Sequence, residues 1–129
     1  MKIALDTSVI VDHLNGYEPA VDLIVELIEE EAEFVSSMVV RTEVLAGMRA
    51  NEEKRTRAFL GLIEWDPVTE DVSDGAGALG RKHLRARSGI DTPDLVLAEL
   101  AQRLGIDVLT MNVKHFKPMF PTIKAPYSY

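Results

Sequence analysis

The chain contains no cysteine, so it is not built on a disulfide framework or a thiolate metal site, and it suits a reducing compartment. No apolar run approaches the ~20 residues of a membrane-spanning helix. Met1 and Lys2 lead directly into an apolar strand, which leaves no room for a secretory leader, and a cytoplasmic protein is expected. Positive charge is also scarce. Fourteen Lys and Arg stand against twenty-one Asp and Glu, a formal charge of −7. That balance argues against broad, nonspecific nucleic-acid binding through net charge, yet leaves room for a local basic stripe. It is also the balance expected where several carboxylates gather around a divalent cation. Internal repeats and linkers are absent. What is present is 129 residues, 47% of hydrophobic type, which reads as one domain over residues 1–129. A domain of this size buries roughly two-thirds of the surface its unfolded chain exposes.

The first eight residues organise the rest. Ile3-Ala4-Leu5 has the pattern of a fully buried strand, Asp6 follows at its carboxyl end, and Thr7 and Ser8 can cap a helix beginning there. Val9-Ile10-Val11 and Leu14 suit that helix, ended by Asn15-Gly16. The spacing of Val21, Ile24, Val25 and Ile28 predicts a second helix over 18–31, with Glu29 to Glu31 as a solvated end. Phe34-Val35 reads as a second strand, closed by Ser36 and Ser37. A helix over 38–48 follows, and the apolar neighbours of Glu43 place it in a largely buried helix, where an ionised Glu needs a partner or a metal.

Residues 51–63 read as a polar amphipathic helix and Trp65 to Val68 as an edge strand. Helical pattern resumes over 71–87, weakened by Gly75, Gly77 and Gly80. Its end, Arg81-Lys82-His83-Leu84-Arg85-Ala86-Arg87, concentrates the positive charge of the chain. This is either a cationic last turn that favours the helix dipole or a phosphate-binding stripe. Ser88-Gly89 breaks the helix, and the next is predicted to start with Thr92 as N-cap, Pro93 at the first position and Asp94 in the first turn. That helix is apolar around much of its circumference, hence buried, and Gly105 closes it. Asp107 to Thr110 is a last strand with Asn112 just beyond it, then a turn of helix to Phe116 and an irregular tail with an edge strand near Ile123.

Alternating strands and helices predict an α/β fold, a mostly parallel central sheet sandwiched between helices. Asp6 and Asn112 each follow a strand, and Asp94 sits in the first turn of a helix, so all three can face one sheet edge, with Glu43 arriving from a helix packed across it. Ligands of open α/β sheets bind in the crevice outside the carboxyl ends of the strands. Carboxylates sharing such a pocket repel one another unless a cation sits between them. Oxygen-only ligands, without Cys and with three His, point to magnesium or manganese rather than zinc.

The segments Leu5-Asp6-Thr7-Ser8, Glu43-Val44-Leu45-Ala46-Gly47, Asp94-Leu95-Val96-Leu97-Ala98 and Leu109 to Phe116 resemble, in order and spacing, the PIN domain, in particular the small toxin ribonucleases of the VapC type. The resemblance covers nearly the whole chain. It implies a metal-dependent endoribonuclease in which Asp6, Glu43 and Asp94 match the three acidic ligands. Asn112 stands where many relatives carry a fourth Asp, which weakens a second metal site and puts the two-metal form of the mechanism in doubt. Thr7 and Thr110 match positions that orient ligands or water. Asp91 competes with Asp94 as third ligand. The match of the Asp-Leu-Val-Leu-Ala run favours Asp94 and leaves Asp91 beside it. The resemblance also implies a homodimer and a cognate antitoxin covering the site.

The chemistry follows from general principles. A bound cation lowers the pKa of its water and stabilises charge on phosphoryl oxygens, with Asp94 or Asp6 accepting the proton. Arg81, Lys82, Arg85 and Arg87 are candidates for binding the flanking phosphates of an RNA substrate. A phospho-acceptor signalling domain is a competing class, but it needs an acceptor Asp where Phe34-Val35 ends in serines. A non-catalytic PIN-like interaction module is a third, favoured mildly by Asn112. Val39, Val40 and Met48 add apolar surface beyond what one sheet face needs, the mark of an interface.

Overall fold

The computed structural model describes residues 1–83 and 89–129. At its centre, strand β1 (Lys2–Leu5) is buried from Ile3 onward, since strands flank both its edges and helices cover the faces to which its side chains point. It pairs in parallel with β2 (Glu33–Ser37) on one side and β4 (Asp107–Leu109) on the other, and β2 pairs in parallel with β3 (Ile63–Asp66). The order is β3-β2-β1-β4, and every pairing is parallel.

This order reverses once. The chain moves outward from β1 to β2 to β3, then crosses back to β4 on the far side of β1. With right-handed crossovers, the helices of the outward path and those of the return lie on opposite faces of the sheet. The outward path carries α1 (Thr7–Leu14), α2 (Glu18–Glu29), α3 (Met38–Gly47), a 3₁₀ turn (Ala50–Glu52) and α4 (Glu53–Leu60). The return carries α5 (Glu70–His83) and α6 (Thr92–Leu104), and α7 (Val113–Phe116) follows β4. The switch point therefore lies between the carboxyl ends of β1 and β4, where a doubly wound sheet opens a crevice. Leu5, Ile10, Ile24, Leu97, Leu100 and Phe116 are wholly inaccessible in the core. Burial of each is worth about 1.5–3 kcal/mol. No described helix is long and apolar enough to cross a membrane.

Several boundaries differ from the sequence reading for physical reasons. The helix expected over 51–63 ends at Leu60, and Ile63 opens β3, so the edge strand lies before Pro67 rather than around it. Ser36 and Ser37 belong to β2. The buried Ser36 hydroxyl donates to Leu5 O at 2.6 Å, and Ser37 Oγ accepts from Val40 N at the start of α3. The second helix stops at Glu29, and Glu31 takes a left-handed φ of 61°. Val40, expected to be surplus apolar surface, is fully buried, while Val39 and Met48 are half-buried. Among the described residues no strand forms near Ile123. The tail is instead held by Tyr127 and Tyr129, whose hydroxyls both donate to Asp12 Oδ2 on α1, at 2.6 and 2.8 Å.

The glycines that weaken the pattern of α5 have a packing role. A Cβ at Gly75 would lie 2.9 Å from Glu99 Cγ, and one at Gly80 would lie 3.0 Å from Leu95 Cδ1. These contacts let α5 press against α6 and show that the two run antiparallel. Gly77 faces open space. α6 in turn lies against β1, β2 and β4, and α3 also meets it. Arg103 on α6 pairs with Glu99 and reaches Asp66 of β3 at 2.6 Å. These partly exposed pairs are worth less than about 1 kcal/mol each.

Candidate active site

Asp6 and Thr110 leave the sheet side by side. Leu5 is in register with Leu109, and Asp6 N donates to Leu109 O at 3.0 Å. The next residue on each strand therefore sits at the switch point, and both are buried. Thr110 Oγ1 donates to Asp6 Oδ2 at 2.6 Å while accepting from Asn112 N at 2.9 Å. Ser8 Oγ donates to the same Asp6 oxygen at 3.3 Å and accepts from Met111 N at 3.0 Å. Thr7 and Ser8, read as capping residues, thus lie inside α1, and Asp6 is its N-cap position without a side-chain capping bond. The Asp6 carboxylate is fixed through Oδ2, and among the described residues no hydrogen bond takes up Oδ1.

Asp94 enters from the N-terminus of α6. The sequence reading placed Thr92 at the cap, but the N-cap is Asp91, one residue earlier. Asp91 Oδ1 accepts from Asp94 N at 3.4 Å and Asp94 Oδ2 accepts from Asp91 N at 3.3 Å, a reciprocal capping pair. Asp91 is exposed and engaged in capping, whereas Asp94 is buried. His115 Nδ1, from α7, lies 2.9 Å from Asp94 Oδ2. Here too the described contacts fall on one oxygen. The Asp94 carboxyl is pushed up to about 7, first by burial, then by the neighbouring Asp91 carboxyl and by the negative charges of Asp91 and Asp6, against the Asp91 backbone N–H, which lowers it. The charge of Asp6 thus reaches Asp94, which places the two carboxylates on one crevice.

Glu43 stands apart from the expectation. It is exposed rather than buried, because α3 turns only Val40 and Val44 into the core. Its partner is Thr7, whose hydroxyl donates to Glu43 Oε1 at 2.9 Å. Thr7 thus links the rim to the residue beside Asp6. Asn112 is exposed at the mouth and tied to the site through its backbone N–H. Among the described residues no three Asp, Glu or His side chains form a cluster that holds a metal unaided. A magnesium-type ion does not require one, since it keeps several waters and binds through one or two carboxylates plus substrate phosphates. Asp6 and Asp94 supply that minimum, all oxygen and no thiolate, and the donor set fits.

The antiparallel packing of α5 on α6 brings the end of α5, with exposed Arg81, towards the end of α6 that carries Asp94, whereas Lys82 lines a cavity with Glu99, Gln102 and Arg103 further along α6. Arg85 and Arg87 lie outside the described residues. Ser8 and His115 were not singled out from the sequence as site residues. Ser8 had a signal in its position two residues after Asp6, on the same helical turn. His115 had none, since its contact crosses from α7 to α6.

Comparison with known proteins agrees with this geometry. The PIN domain family model matches residues 3–118. Ribonuclease VapC19 of Mycobacterium tuberculosis is 42% identical over 127 residues, covering 98% of this chain and 100% of the relative. Ribonuclease VapC10 of the same organism is 30% identical over 126 residues, with 98% and 93% covered. Among solved structures, a toxin-antitoxin complex from Klebsiella pneumoniae superposes with a TM-score of 0.80 at 22% identity, covering 98% of this chain and 99% of that one. With the carboxylate pair at its switch point and these matches along nearly its whole length, the chain belongs to the PIN-domain family, in its VapC group.

Proposed function

We propose that this protein is an endoribonuclease, the toxin of a toxin-antitoxin pair, that hydrolyses RNA phosphodiester bonds with magnesium or manganese held at Asp6 and Asp94. The observation that carries this reading is the arrangement of those two buried carboxylates, each held through Oδ2 by contacts among the described residues. A divalent cation bound there supplies an acidified water and a positive charge for phosphoryl oxygens. The protein's own residues do the rest. Thr110 and Ser8 hold Asp6 in one orientation, and Asp91 holds Asp94. Glu43, steadied by Thr7, adds a third carboxylate from the rim, and Asn112 offers a neutral oxygen where a fourth carboxylate would add charge. Arg81, at the end of α5, is a candidate to meet phosphates flanking the cut, with Lys82, Arg85 and Arg87 as further candidates.

Partners follow the same reading. A groove of about 290 Å³ between α1 and α3 is lined by Val11, Leu14, Val44 and Met48, with Glu43 and Arg49 also on its wall. An antitoxin segment seated there reaches the rim of the site. Val25 and Ile28 on α2 and Met38 on α3 remain exposed, apolar surface available to that partner or to a second copy of the chain. The test is incubation of the purified protein with total RNA in magnesium, in manganese and in excess chelator, with the ends mapped. Cleavage with either ion that stops on chelation supports the proposal. Cleavage indifferent to chelator, or none with either ion, overturns it.

A further inference from the structure

His115 lies beside the site without being accounted for by sheet, core or cap. It sits on α7, one residue before the fully buried Phe116, and its side chain is 32% exposed. Its Nδ1 atom is nonetheless inaccessible and 2.9 Å from Asp94 Oδ2, with a ring orientation that falls short of a well-aligned hydrogen bond. Among the described residues nothing else pairs with it. The ring is confined from behind by the backbone of Gly89, where φ is +82° and a Cβ would come within 2.9 Å of Nε2. The imidazole therefore fills a slot between the loop entering α6 and the Asp94 carboxylate. Asp94 Oδ2 also accepts from Asp91, so the ring completes the contacts that hold that oxygen in place.

We propose that His115 is a positioning residue for Asp94: its Nδ1–H holds Oδ2, so that the other carboxylate oxygen stays directed to the cation. A poorly aligned contact in the free protein is no objection, since such bonds commonly tighten when the ligand binds. The same logic governs metal sites in general, where ligating carboxylates are themselves hydrogen-bonded, and loss of such a support weakens metal affinity about 10–100-fold. The proposal rests on Asp94 being a cation ligand.

The experiment is manganese binding to the full-length protein without RNA, followed by calorimetric titration, for wild type, Asp94→Asn, His115→Ala, His115→Asn and His115→Gln. Asparagine places an amide N–H near the position of Nδ1, while glutamine places it near Nε2. His115→Ala is expected to bind manganese about tenfold or more weakly. His115→Asn is expected to recover most of that loss and His115→Gln little of it. A role in packing alone would not separate Asn from Gln, and where the alanine variant fails to fold, that comparison decides. Alanine binding as tightly as wild type, or Asn and Gln behaving alike, overturns the proposal while the Asp94 reading stands if Asp94→Asn has lost binding. Undiminished binding by Asp94→Asn overturns both.

Discussion

Asp94→Asn should make the protein more stable above neutral pH in the presence of chelator, although under the proposed function it removes a ligand of the cation. Folding raises the Asp94 carboxyl from 3.8 to about 7, chiefly by burial and then through Asp91 and the charge of Asp6. The native state therefore binds more protons than the unfolded chain between those values. This contribution to stability is fully present below the unfolded pKa and is lost as pH rises through the folded one. At 1.36 kcal/mol per pKa unit the full penalty of ionising Asp94 would be about 4 kcal/mol. Water and salt at the crevice mouth screen part of it, which leaves about 2 kcal/mol. Asparagine keeps the shape and an acceptor for Asp91 N but carries no charge. Urea unfolding in chelator should show the variant about 2 kcal/mol more stable near pH 8, with unchanged m-values. The gap should close towards about pH 4, where wild-type Asp94 is protonated. Saturating manganese should reverse the order, because only wild type gains binding energy from the ion. A difference independent of pH, or a less stable variant near pH 8, would refute the electrostatic reasoning.

Three further outcomes are expected. Asn112→Asp should tighten manganese binding in calorimetric titration and leave cleavage unchanged or faster, and weaker binding would remove position 112 from the ion's neighbourhood. Gly77→Ala, facing open space in α5, should raise stability by about 0.5–1 kcal/mol, while Gly80→Ala should fall about 1 kcal/mol short of it because its methyl meets Leu95. His13 is stacked on Phe59 at 4.3 Å with its Nδ1 buried, and burial followed by the charge of Arg55 holds its pKa below 6.5. The unfolded chain therefore takes up this proton first, so stability should decline as pH drops below about 6.5, and His13→Gln should flatten that decline in thermal melts.

Short apolar runs alternating with helical periods carry the sheet plainly, because β1 has helices over both faces and must be apolar throughout. Asp6, Asp94 and Thr110 were legible for a related reason: each sits just past a strand or at a helix start, and topology sends those points to one crevice. Other features depend on which surfaces meet. Ile63 satisfies a helical period and a strand alike, so only pairing with Phe34 of β2 decides its state. Glu43 looks buried among Val39, Val40 and Val44, yet its exposure follows from the side of α3 that faces the sheet. The glycines of α5 look like helix weakeners until α6 is seen pressed against two of them. His115 contacts Asp94 across two elements, a relation with no periodic trace in the sequence. Asp91, a rival ligand in the sequence, takes the capping role once the start of α6 is located.

Parallel cleavage assays decide whether Asp6 and Asp94 hold the cation needed for RNA cleavage. Wild type, Asp6→Asn and Asp94→Asn, matched for folded fraction by circular dichroism, would each be given one single-stranded RNA in manganese. Initial rates would be followed, with chelator added midway. Wild type should cut and stop on chelation, and each variant should be slower by about a hundredfold or more. A wild-type rate in either variant would contradict that role.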